Sequence, residues 1–252
     1  MRAALAIGVV AALSLACGPG AAAPSPVPSA AALPAYCTAA QPDVLQEISG
    51  TAASPYLIHH PATATARVPT VVFLPGGAGA RKQAQRVWDA YLAGAKGVDA
   101  FRVVIPYWPD IEMVEGFRRT LAVVDEVLAC YGGDAHQIHL AGFSAGGQSA
   151  FDLMLEKPER FATLLGAPGE FQLGTTPAKL AVLKGKAVFN GVGELDDEGW
   201  HKGVRDAHEA LVAAGVESVY VEFKGQRHGA GEGFPKDLLV EFWVKHSILE
   251  QR

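Results

Sequence analysis

From Val71 onward the chain alternates short, β-branched apolar runs with stretches of helical length. Val71-Val72-Phe73-Leu74, Val103-Val104-Ile105, Ile138-His139-Leu140-Ala141, Ala162 to Leu165, Ala187-Val188-Phe189 and Val219 to Phe223 read as strands. Helices are predicted over Arg81 to Ala95, Glu115 to Cys130, Gln148 to Lys157 and Trp200 to Ala214, with a last one from Pro235 to about Leu249. Runs that are apolar throughout, rather than at every second residue, suit strands buried on both faces of a sheet. Strand, helix, strand in repetition requires right-handed crossovers, which gives an α/β fold: a mostly parallel central sheet with helices on both faces. Leu45 to Ser49 and Tyr56 to His60 look like shorter opening strands, joined by a turn over Gly50 to Pro55. Sheets of this kind bind ligands outside the carboxyl ends of their strands.

The chain's start reads differently. Met1-Arg2 followed by the apolar stretch Ala3 to Ala16 has the charged beginning and short apolar core of a secretory signal, too short to span a bilayer. A leader over residues 1–23 is expected, cleaved after Ala16 or after Ala23. Leu13-Ser14-Leu15-Ala16-Cys17 also resembles a lipoprotein box with Cys17 as the lipid carrier, although Ser14 stands where an aliphatic residue is usual. A secreted or periplasmic protein is therefore preferred to a cell-envelope lipoprotein. Residues 24–35 lie in a run of Ala, Pro, Gly and Ser that has nothing to bury, and read as a linker. That leaves 36–252 as one domain, with no transmembrane helix in it. Export fits the cysteines: setting Cys17 aside, Cys37 and Cys130 remain as an even pair, expected to form a disulfide, with two separate thiols as the alternative. A formal net charge of −5 offers nothing to grip a phosphate backbone, so no nucleic-acid partner is expected.

Gly142-Phe143-Ser144-Ala145-Gly146-Gly147 stands between a predicted strand and a predicted helix. A strand that turns into a helix within so few residues leaves the serine at the apex, and side chains two residues either side would collide with neighbouring backbone. In a chain with 28 glycines the pattern alone is weak. A serine hydroxyl needs a base to become a nucleophile, and the base needs an orienting group. Of the histidines after Ser144, His201 and His208 have the spacing of a solvated helix face and His246 falls inside the last helix. His228 sits in a glycine-rich loop, Gly225 to Gly231, directly after a strand, and is the candidate base. Candidate acids crowd the turn after the Ala187 strand: Glu194, Asp196 and Asp197, which residue type and spacing alone do not separate.

These elements resemble the α/β-hydrolase superfamily, with its chain order of serine, acid and histidine. The likeness is to small secreted bacterial esterases related to dienelactone hydrolases, feruloyl esterases and polyhydroxybutyrate depolymerases. It implies an α/β-hydrolase fold over 36–252, and through Gly193-Glu194-Leu195-Asp196-Asp197 it favours Asp196 as the acid. It also assigns Leu74-Pro75-Gly76-Gly77-Ala78-Gly79 to the oxyanion loop, where Pro75 replaces the family's usual histidine. Backbone N–H groups of Gly77 or Ala78 on this loop, and of Ala145 after the nucleophile, are the implied oxyanion donors.

The implied activity is ester hydrolysis through an acyl-enzyme on Ser144, with a thioesterase, a peptidase or a non-catalytic binding protein of the same fold as alternatives. Neither metal nor organic cofactor is called for, since His59-His60 and His136-x-x-His139 lack companion ligands at metal spacing. Only Gly169 to Gly185 is available for a lid, with one short helix over Pro177 to Leu183. The site should therefore be open, to small soluble esters or an accessible polymer chain. Tyr107-Trp108 and Trp200 are placed either to wall the substrate pocket or to serve core packing and helix capping.

Overall fold

The structure is a computed structural model that describes residues 34–49, 54–64, 67–108, 113–172 and 175–248, with backbone alone for 113–117. The expected leader, Cys17, all but the end of the linker and most of the Gly50 turn lie outside the described residues. Strands β1 (Leu45–Ile48), β2 (Tyr56–His59), β3 (Thr70–Leu74), β4 (Arg102–Pro106), β5 (Ile138–Gly142), β6 (Thr163–Gly166), β7 (Ala187–Gly193) and β8 (Glu217–Phe223) form one eight-stranded sheet. Its order is β1-β2-β4-β3-β5-β6-β7-β8. The pairs β1/β2 and β2/β4 are antiparallel; every other pair is parallel.

The continuous apolar runs resolve into two faces. Val72, Leu74, Val104 and Leu140 pack into one core, while Val71, Phe73, Val103, Ile105 and Ala141 pack into the other. Successive side chains of a strand point to opposite sides, so a run apolar at every position feeds both layers at once. Helices α1 (Arg81–Val87), α2 (Met113–Tyr131), α3 (Ala145–Glu156), α4 (Pro177–Leu180), α5 (Glu198–Ala213) and α6 (Lys236–Lys245) supply those layers.

Two helical expectations need correction. The helix expected to reach Ala95 is α-helical only to Val87 and then opens into a wide π-type turn over Trp88–Leu92, which seats Tyr91 and Leu92 in the core. Gly94, at φ +74°, lies just beyond it in a conformation that continues no right-handed helix. His201 and His208, expected on a solvated face, are instead half-buried: His208 Nδ1 is 2.9 Å from Ser218 Oγ, and His201 lies 3.9 Å from Glu222. Strand β8 is longer than the apolar run Val219 to Phe223 implied, and of its extra residues Ser218 meets α5 while Glu217 accepts from Lys245 at the end of α6.

Cys37 and Cys130 are bridged, with 5.4 Å between their Cα atoms, tying the segment before β1 to the last turn of α2. Closing a loop with 93 residues of sequence separation removes unfolded-chain entropy equivalent to about 4–5 kcal/mol on the chain-entropy account.

Strand β3 has β4 on one side and β5 on the other. From it the connections run outward in opposite directions, which opens a crevice at the carboxyl ends of β3 and β5. The Pro75–Ala80 loop leaves β3 there, and Ser144 follows β5. Between β6 and β7, α4 turns Leu180 and the following Leu183 fully into the core. That short helix packs into the body of the domain, where Lys179 and Val182 face Asp152 and Glu156 at the end of α3 remote from Ser144.

Candidate active site

Ser144 lies between the end of β5 at Gly142 and the start of α3 at Ala145, with φ 57° and ψ −122°. A non-glycine residue with positive φ costs on the order of 1–3 kcal/mol, so its surroundings must hold it there. They do: the Ser144 N–H donates to the Pro168 carbonyl at 2.9 Å, and Phe143 N–H donates to Leu74 O at 3.2 Å. The glycines are sterically required. A Cβ on Gly142 would stand 2.2 Å from Gly146 O, on Gly146 2.2 Å from Leu74 O, and on Gly147 2.1 Å from Pro168 O.

His228 Nε2 is 2.9 Å from Ser144 Oγ, and its Nδ1 is 3.0 and 3.1 Å from the two carboxylate oxygens of Asp196. An ionised carboxylate only accepts, so Nδ1 carries the proton and Nε2 is left to accept the serine hydroxyl. The Asp196 side chain is 1% exposed and also takes the Asp197 N–H at 2.8 Å. The rival acids are engaged elsewhere. Asp197 caps α5 by accepting the Trp200 N–H at 3.0 Å, and Glu194 accepts the Gly225 N–H at 2.7 Å. Acid turn and histidine loop are laced together, because Leu195 N–H donates to Gln226 O at 2.8 Å and a Cβ on Gly193 would meet Arg227 O at 2.3 Å.

Ala145 is the first residue of α3, where helix geometry leaves the N–H without an intrahelical partner. Gly77, at φ +60°, and Ala78 are exposed on the neighbouring loop after β3, and the close approach of Gly146 to Leu74 and Pro75 brings the two loops together. With Pro75 in place of a histidine, the side chain beside Gly77 is Gln83, whose Nε2 would be 3.4 Å from a Cβ there.

The three aromatic candidates part company. Trp200 is half-buried with its ring 5.1 Å from that of His228, at the site. Trp108, 1% exposed, lies under the Pro75–Ala80 loop, where a Cβ on Gly79 would come within 2.3 Å of its indole nitrogen. A pocket wall must offer surface to a ligand, and Trp108 has none. Tyr107 is likewise buried and its hydroxyl donates to Glu47, so both belong to packing. Nor do the paired histidines converge. His60 Nδ1 accepts from Arg102, His59 stacks on Trp88, and His139 is enclosed between Thr163 and Ser247 hydroxyls at 2.9 and 2.8 Å. Among the described residues no group of three or more His, Cys, Asp or Glu could hold a metal ion.

Two residues that the sequence did not single out organise the site. The Phe143 ring lies against His228 and Tyr91, with centroids 5.1 and 5.5 Å apart, and would be 2.7 and 2.9 Å from Cβ atoms on Gly76 and Gly229. It thus touches the Pro75–Ala80 loop, the Ser144 turn and the His228 loop together. Tyr91 accepts the Ala230 N–H at 3.0 Å and donates to Ala167 O at 3.3 Å, and burial pushes its phenol well above the ordinary tyrosine range. Phe143 occupies the variable position of the motif and could have been weighed; a tyrosine in an amphipathic helix reads only as core.

No protein-family model and no curated protein matches the sequence. Solved structures do. A thermostable esterase superposes with a TM-score of 0.57 and 19% identity over 75% of this chain, which spans 56% of that one. Thermogutta terrifontis esterase 2 phosphoramylated by tabun gives 0.57 and 18% over 79% of this chain and 91% of that chain. The feruloyl esterase module from Clostridium thermocellum, an S954A mutant complexed with sinapinate, gives 0.59 and 12% over 83% and 89%. The chain has the α/β-hydrolase fold. The turn carrying Ser144 sits at the central crevice of the sheet, with His228 and Asp196 contributed from beyond β8 and β7.

Proposed function

We propose that this chain is a serine hydrolase that cleaves carboxylic esters through an acyl-enzyme on Ser144. One observation carries the reading: an unbroken hydrogen-bond chain from the Ser144 hydroxyl through both nitrogens of His228 to the enclosed Asp196 carboxylate. His228 removes the Ser144 proton as Oγ bonds to the ester carbonyl carbon, and Asp196 stabilises the imidazolium. Negative charge forming on the carbonyl oxygen is met by the Ala145 N–H and by an N–H of Gly77 or Ala78. The imidazolium then protonates the departing alcohol. Water, deprotonated by the same nitrogen, attacks the acyl carbon and frees the acid and Ser144.

The half-buried Ser144 and a His228 side chain 37% exposed support open access for small esters or a polymer end. Export is part of the proposal, supported by the Cys37–Cys130 bridge, which suits an oxidising compartment. No helix among the described residues is long and apolar enough to cross a membrane. A neighbour of this fold is phosphoramylated by tabun, and we expect a fluorophosphonate probe to label this chain at Ser144. Peptide mapping after labelling tests activation of the serine, and a panel of chromogenic esters, thioesters and peptides identifies the bond cleaved. Ester hydrolysis unchanged in Ser144→Ala would overturn the reading.

A further inference from the structure

Glu170 stands on the segment that anchors Ser144, at a place that hydrolysis itself does not require. It follows Pro168, whose carbonyl holds the Ser144 N–H, and both its flanks are fixed. Asn190, fully buried on β7, accepts the Gly169 N–H at 3.1 Å and donates to Gly169 O at 2.6 Å, while Phe171 packs edge-on against Phe151 at 4.9 Å. The half-buried carboxylate then reaches across between two helices. One oxygen accepts from Gln148 Nε2 on α3 at 2.8 Å, and the other would be 1.7 Å from a Cβ at Gly203 on α5, so the carboxylate rests in the space that the missing side chain leaves.

Gln148 is one helical turn past Ser144, and Gly203 is about one turn past Trp200, whose ring lies against His228. The carboxylate therefore lies between α3 and α5, held one turn past Ser144 on one side and facing the backbone about one turn past Trp200 on the other. Gln148, a neutral amide, is its hydrogen-bonding partner among the described side chains. A carboxylate has about four acceptor positions, so a rigid loop here presents negative charge with acceptor capacity to spare.

Taking the esterase reading as its basis, we infer that Glu170, braced by Gln148, is the specificity-determining residue of the cleft. It selects esters that carry a cationic or hydroxyl-bearing group into the space between α3 and α5, and it disfavours esters that carry a carboxylate there. Cation and hydroxyl share the chemistry that recognises them, positive charge or a donor hydrogen facing a fixed carboxylate. An anion meets like-charge repulsion in a partly desolvated place.

The test uses two matched series on the purified full chain, followed by pH-stat. Methyl esters of butyrate, β-hydroxybutyrate, γ-trimethylammoniobutyrate and succinate carry the group on the acyl side; acetate esters of propanol, ethylene glycol, choline and glycolate carry it on the alcohol side. In at least one series kcat/KM should be about tenfold or more higher for the cationic than for the anionic ester, falling with added salt. Glu170→Gln, which keeps the shape and the Gln148 contact, should bring that ratio to within about threefold, and Glu170→Asp, which keeps the charge, should retain most of it. If hydroxyl esters gain over alkyl esters while cations do not, donor recognition is the source; if only cations gain, charge is. A ratio equal in wild type and Glu170→Gln while esters are turned over, or a wild-type preference for the anionic ester, overturns the inference. Failure to cleave any ester in either series would instead count against the esterase reading.

Discussion

The phenolic oxygen of Tyr91 accepts the amide N–H of Ala230 at 3.0 Å, two residues past His228, and donates to the carbonyl of Ala167. The next carbonyl along, that of Pro168, holds the Ser144 N–H. One buried hydroxyl thereby sets the spacing between the loop that carries His228 and the turn that carries Ser144. Tyr91→Phe keeps the ring and leaves both backbone partners unsatisfied, at a cost of about 1–3 kcal/mol each at most. Steady-state kinetics on the best ester should show kcat reduced on the order of tenfold with KM little changed, because the misplaced groups are those that move protons. An equal rise in KM and fall in kcat would point to general loosening instead.

The three carboxylates of the acid turn should separate cleanly. Asp196→Asn is expected to lower kcat by roughly a thousandfold or more, since an amide at that place favours the wrong tautomer of His228. Asp197→Ala loses the α5 cap and about 1 kcal/mol of stability, with kcat preserved. Glu194→Gln, which keeps an acceptor for Gly225, should stay within a few-fold of wild type. Parallel kinetics and thermal melts on the set check all three.

Gly146→Ala forces a methyl to within 2.2 Å of the Leu74 carbonyl, a contact that only movement of the elbow or of β3 relieves. Soluble protein with less than about a hundredth of wild-type kcat is expected, in line with an ångström-scale misplacement of the nucleophile. Gly94→Ala is the control: nothing lies within 4 Å of its Cβ position, and φ +74° alone costs about 1–2 kcal/mol, so activity should survive a lower Tm.

Acid should act through buried histidines well before it reaches most carboxylates. Burial holds His139 neutral down to about 3, and burial together with the Arg102 charge holds His60 neutral down to about 4; His59 is displaced downward too, chiefly by burial. Their unfolded-state pKa is about 6.5, so the unfolded chain binds protons that the folded one refuses. Stability is complete above about pH 6.5 and is lost progressively as pH falls toward the folded values of about 3 and about 4. Denaturant melts near pH 5 should report uptake of about two to three protons on unfolding, and His139→Asn should remove about one of them.

The fold was legible because its signal is repetitive: six apolar runs spaced by helices admit few topologies, and neighbouring errors of a residue or two do not change them. Ser144 and His228 were legible for another reason, since a glycine-flanked serine and a histidine in a glycine-rich loop are unusual among helices and strands. Asp196 was favoured by resemblance alone, because which of Glu194, Asp196 and Asp197 turns inward depends on backbone hydrogen bonds such as Leu195 to Gln226 that join segments distant in sequence. Trp108 was ambiguous on the same ground, as an aromatic residue at a strand end reads alike whether it faces a cleft or lies under a loop. The π-type turn that brings Tyr91 under the histidine loop left no mark in the apolar pattern, and Glu170 depends on a side chain that is missing, that of Gly203.

Phe143 lies against the Pro75–Ala80 loop, the His228 loop and Tyr91 at once, and the positive φ of the next residue is held by contacts from β3 and from the segment after β6. Such a turn is fastened on both sides to the sheet's own strands and connections, so heat loosens it together with them. On warming, reactivity and global fold should therefore disappear in the same transition, which makes turnover a direct thermometer of the whole molecule.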